Sequence, residues 1–95
     1  NTQKESFDKN IRVATAKDIA EIRRFEYLIE RDFEIIELRK RVAETASSQL
    51  DNGVITSTDY IKRVNDATQA EINLKTHEIQ LVRAKVNYQA TLGKL

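Results

Sequence analysis

Apolar residues return with a period of seven along the first half of this chain. Ile22, Ile29, Ile36, Ala43 and Leu50 recur every seven residues, and Leu28, Ile35 and Val42 run beside them in the same period. A repeat of seven held over several turns predicts a helix that supercoils left-handedly around a neighbour, because the apolar seam of a straight helix would drift off its partner. Upstream, Thr2 and Glu5 have the T-x-x-E spacing of a capping box, in which side chains and backbone satisfy the orphan N–H groups of a helix start. Nothing from there to Leu50 breaks a helix. The acid-before-base pairs Glu5/Lys9, Asp8/Arg12 and Glu37/Arg41 add about 0.3–0.5 kcal/mol each on a solvated face.

Asp51-Asn52-Gly53 is the interior punctuation. Gly53 suits the left-handed position just past a helix end, where other residues are strained by their Cβ. Asn-Gly is also a turn signal between β-strands, but the flanks here carry a helical period and no alternation. Thr56 and Asp59 then form a second helix start, with Ser57 and Thr58 as competing caps. The pattern predicts an all-α chain, a single antiparallel coiled-coil hairpin over residues 1–95: a helix over about 3–51, a tip turn over about 52–56, and a helix over about 57–92 that Gly93 stops. At 1.5 Å per residue the helices would be about 70 and about 50 Å long.

The second helix carries two stripes of period seven. Ile72, Ile79 and Val86 make one, and Leu74, Leu81 and Tyr88 make the other. Positions two apart differ by about 200° around a helix axis, so the stripes lie on nearly opposite sides. A helix with two seams expects a neighbour on each side, as in a sheet or closed ring of helices. A four-helix bundle made by dimerisation, with wide core faces, explains the pattern equally well. The expected packing residues are Ile22, Ile29, Ile36 and Leu50 on the first helix and both stripes on the second. An isolated chain of this kind is expected to self-associate.

Composition narrows the class. The chain has no proline and two glycines, where average usage would give about five and about seven. Sandwiches, small barrels and dinucleotide-binding units need far more turns and glycines. The sequence is 33% charged and 40% hydrophobic, which suits long exposed helices. Sixteen Lys and Arg against fifteen Asp and Glu leave a net charge of +1, which argues against a nucleic-acid or anionic-membrane surface. Without cysteine there is no disulfide framework. No apolar run approaches the roughly 20 residues of a membrane helix, so no direct membrane contact is expected of this segment. The chain begins at Asn1 with no signal-peptide pattern and reads as an excised or processed segment.

Candidate chemistry is sparse. His77 is the single histidine and has no second ligand at metal spacing, so it reads as solvated or partly packed. Glu21, Glu26, Glu30, Glu34 and Glu37 form a carboxylate run, but a helix face offers no cleft to perturb an acid/base pair, so they read as a solvated face. Phe25, Phe33, Tyr60 and Tyr88 sit at helical spacing and read as seam packing. With no phosphate loop, nucleophile–base signature or metal motif, no catalytic residue, metal or cofactor is expected and the chain does not read as an enzyme. Val54 and Ile55 are apolar at the extreme tip, where exposure would indicate a partner. The alternative is that one folds back as the apolar contact of the helix cap. Asp59 serves as a cap and first-turn dipole partner, or as a docking contact, and the roles are compatible.

The stretch Leu50-Asp51-Asn52-Gly53-Val54-Ile55-Thr56-Ser57-Thr58-Asp59-Tyr60 resembles the periplasmic helical tip of TolC-like outer membrane efflux proteins. That family's turn has a glycine, a Ser or Thr three residues on and an Asp six residues on, matched here by Gly53, Thr56 and Asp59. The run Ala84-Lys85-Val86-Asn87-Tyr88-Gln89-Ala90 before Gly93 is similar to the end of the family's following helix, and Leu38-Arg39 with Ala43–Ser48 to its preceding one. Leu50 departs from the pattern, since the family more often has an aromatic or Arg near that position. The resemblance implies a homotrimer in which an outer-membrane β-barrel continues into a periplasmic α-helical barrel, each subunit giving two hairpins. It implies that the tip residues Asn52, Gly53, Val54, Ile55, Thr56 and Asp59 meet a periplasmic adaptor protein, and through it an inner-membrane pump, for export of small molecules, metals or proteins. The rival expectations are a structural coiled-coil spacer or scaffold hairpin, or the adaptor's own hairpin.

Overall fold

A computed structural model describes residues 2–94. The chain is an all-α helical hairpin of two helices, α1 (Thr2–Asp51) and α2 (Ser57–Leu92), joined by residues 52–56. No strand occurs among the described residues. Thr2, expected as a cap, is itself helical.

The helices pack as two compact units. One comprises the chain up to Leu28 together with the chain from His77 onward. Here Ile11, Phe25 and Ala84 are buried, and Asp18, Ile22, Leu81, Tyr88 and Thr91 are half-buried. The Thr91 hydroxyl donates to Asp18 Oδ2 at 2.6 Å, and the rings of Phe25 and His77 meet at 6.4 Å between centroids. Moving up α1 from Asp18 to Phe25 moves down α2 from Thr91 to His77, which is antiparallel pairing.

The other unit is Ile29–Thr76. Asp32, Ala46, Ala70 and Leu74 are buried, and Ile29, Ile36, Ala43, Leu50, Tyr60 and Ala67 are half-buried. Arg39 Nη1 donates to the Asp66 carbonyl at 3.0 Å. Lys40 pairs with Glu71 at 3.2 Å, but both side chains are more than half exposed, so this pair contributes at most about 1 kcal/mol.

In each unit the α1 seam follows one register: Ile11, Asp18 and Phe25, then Asp32, Arg39 and Ala46. The Ile22, Ile29, Ile36, Ala43 and Leu50 series lies half-buried beside it. On α2 the seam begins at Tyr60 and from Ala67 alternates Ala67, Leu74, Leu81 and Tyr88 with Ala70, His77, Ala84 and Thr91, at steps of three and four. Alanines at the buried positions 46, 70 and 84 permit close helix approach. The polar seam residues are tolerated because they are engaged: Asp18 with Thr91, Arg39 with the Asp66 carbonyl, and Asp32 in an interaction of its own. No buried side-chain N or O among the described residues lacks a partner.

Two expectations are revised. Phe33 is 58% exposed and borders a shallow groove with Ile36, Lys40, Glu71, Leu74 and Lys75 instead of filling the seam. Its register is one step round the helix from Asp32, which takes the buried place. Of the two α2 stripes, Leu74, Leu81 and Tyr88 are buried or half-buried in the hairpin, and Ile72, Ile79 and Val86 are exposed. Of the surface pairs, Glu37–Arg41 forms at 2.8 Å, while Arg12 Nε turns to the Asp8 main-chain oxygen.

Candidate docking tip

Two interlocking caps build the tip. At the end of α1, the Gly53 N–H donates to the Leu50 carbonyl at 3.0 Å and the Val54 N–H to the Gln49 carbonyl at 2.8 Å. These paired bonds close a helix through one left-handed residue, and Gly53 supplies it at φ +71°. A Cβ built on Gly53 meets nothing within 4 Å. Glycine is therefore required for its backbone conformation alone, which costs other residues about 1–2 kcal/mol.

At the start of α2, the Asp59 N–H donates to Thr56 Oγ1 at 3.1 Å, and the Thr56 N–H donates to Asp59 Oδ2 at 3.4 Å. This is a reciprocal capping box. The Tyr60 N–H bonds the Thr56 carbonyl at 3.1 Å, which makes Thr56 the cap and leaves Ser57 and Thr58 inside the helix. Thr56→Ala is expected to lower stability by about 1 kcal/mol. Urea unfolding followed by circular dichroism checks this, and Ser57→Ala should produce no comparable loss.

Between these caps the surface is small, polar and acidic. Asn52, Gly53, Val54, Thr56 and Asp59 are exposed, and Ile55 is half-buried. Val54 projects with 68% of its surface accessible. No Lys or Arg lies between Arg41 and Lys62, while Asp51 and Asp59 flank the turn. A complementary surface would offer an apolar pocket for Val54, hydrogen-bond donors and positive charge.

The remaining candidates belong to packing or to the surface. His77 is half-buried against Phe25, whose ring also lies under the Arg24 guanidinium at 5.1 Å. Glu26, Glu30, Glu34 and Glu37 are exposed, and Glu21 is half-buried and pairs with Arg24 at 3.4 Å. No cluster of three or more potential metal ligands occurs among the described residues. Among those residues, no helix is long and apolar enough to cross a membrane. The polar seam contacts Asp18–Thr91 and Arg39–Asp66 are missed by hydrophobic periodicity. Their signal is register: Asp18, Asp32 and Arg39 share the spacing of Ile11, Phe25 and Ala46.

The chain matches no protein-family model, no curated protein and no solved structure.

Proposed function

We propose that this chain is a tunnel-forming hairpin of a TolC-like outer membrane efflux protein, which docks its tip on a periplasmic adaptor and performs no catalysis. One observation carries this reading. With the seam to α1 made, α2 still exposes Ile79, Val82 and Val86 at 70%, 62% and 56%. A solitary two-helix spacer has no use for a second apolar stripe. A hairpin held between neighbours in a ring of helices buries it. The exposed, acidic tip around Gly53 adds a surface suited to a partner at the closed end of such a ring.

The coding sequence on either side of this segment tests the proposal cheaply. An efflux conduit predicts strands of about ten alternating residues for a membrane barrel and a second helical hairpin with its own glycine, Ser/Thr and Asp spacing. A gene with neither would leave a structural spacer as the reading.

A further inference from the structure

We infer that Asn52 is a site of spontaneous covalent modification, its side-chain amide cyclising onto the Gly53 backbone nitrogen and hydrolysing to aspartate and isoaspartate. This goes beyond the docking role and does not depend on it.

The reaction needs an amide carbon within reach of the next residue's backbone nitrogen, with no side chain screening that nitrogen. Asn52-Gly53 is the one Asn-Gly pair in the sequence. Both residues are exposed, and a Cβ built on Gly53 would meet nothing within 4 Å beyond its chain neighbours. Glycine also leaves the backbone free to adopt the conformation for ring closure. The brake is the hydrogen bond from the Gly53 N–H to the Leu50 carbonyl at 3.0 Å. That bond lies in the last turn of α1, where opening is least costly. Asn10, Asn65, Asn73 and Asn87 differ on both counts. Each lies inside a helix, and each precedes a residue with a side chain: Ile11, Asp66, Leu74 and Tyr88.

The step balances with water alone. A solvent base removes the Gly53 N–H proton, and the nitrogen attacks Asn52 Cγ. The Cγ–Nδ2 bond breaks, and Nδ2 takes up a proton and leaves as ammonia. Water then opens the cyclic imide at either carbonyl. Opening at the main-chain carbonyl gives isoaspartate, which routes the backbone through the side chain and inserts a methylene between residues 52 and 53. The bonds from Gly53 and Val54 to Leu50 and Gln49 then lose their register. Opening at the other carbonyl gives aspartate, a negative charge beside Asp51 at a helix C-terminus, where the dipole disfavours it.

The test is to incubate the folded hairpin at mildly alkaline pH and map its peptides by mass spectrometry. The expected result is amide-to-acid conversion concentrated at Asn52, resolved into two isomers, one of them a substrate for an isoaspartyl methyltransferase. Ammonia should appear in step with conversion and be lost in Asn52→Asp. Gly53→Ala should slow the reaction severalfold, because a methyl group then screens the nitrogen. Retention of the Asn52 amide in the folded chain while a urea-unfolded sample converts would overturn the inference, because the helix cap would then lock the nitrogen. Conversion spread evenly over all the asparagines would overturn it as well.

Discussion

Phe25→Ala is expected to destabilise the hairpin by about 3 kcal/mol, the lower part of the range for truncating a buried phenylalanine. Phe25 is the largest of the buried apolar side chains among the described residues, at 8% exposure. Ala84, which lines the same groove as Phe25, is small, so it cannot swell to fill the gap. The truncation also removes the ring against which His77 packs and over which the Arg24 guanidinium sits. For a domain of this size each kcal/mol shifts the melting temperature by about 4–8 °C, so a fall of more than about 12 °C is expected. Phe33→Ala is the internal comparison. Phe33 is 58% exposed, and its removal should change stability by no more than about 0.5 kcal/mol. Thermal melts at one fixed concentration check both variants, and equal losses would refute the assigned seam register.

The second large effect concerns association. The hairpin is expected to self-associate, and the double substitution Ile79→Glu with Val86→Glu is expected to abolish it. Each of these side chains leaves more than half its surface in water, so charge placed there scarcely perturbs the folded chain. In an assembly the same charges would be buried without partners, which is costly. Sedimentation equilibrium should therefore show concentration-dependent oligomers for the natural sequence and monomers for the variant, with equal helicity. A natural sequence that stays monomeric at high concentration would contradict the role given to the outer stripe.

The elements that are legible in the sequence are those set by local chemistry. Gly53 marks the end of α1 because a left-handed cap has one favoured residue, and its φ is +71°. Thr56 and Asp59 mark the start of α2 because their spacing closes two hydrogen bonds at once. With no proline and no interior glycine in either helix, no other break is expected. The seam is less legible. A search for apolar sevens finds the Ile22–Leu50 series, which is half-buried, and passes over Asp18, Asp32 and Arg39, which take seam positions. Those polar residues become acceptable only through partners far along the chain, such as Thr91 for Asp18 and the Asp66 carbonyl for Arg39. Periodicity cannot show such partners. It also shows two stripes on α2 without choosing between them. Leu74, Leu81 and Tyr88 face α1 because they alternate with the small residues Ala70, Ala84 and Thr91, and this spacing admits a closely packed helix.

We have proposed that the Gly53 tip docks on a partner as part of an export conduit. Gly53→Val in the whole protein tests it most directly. A β-branched residue is strained at φ +71°, and a Cβ at this position meets nothing within 4 Å beyond its chain neighbours, so the strain is expected to fall on the turn. If the tip docks as proposed, cells carrying the variant are expected to lose drug or metal resistance while the protein's assembly is unchanged. Unchanged resistance would contradict it.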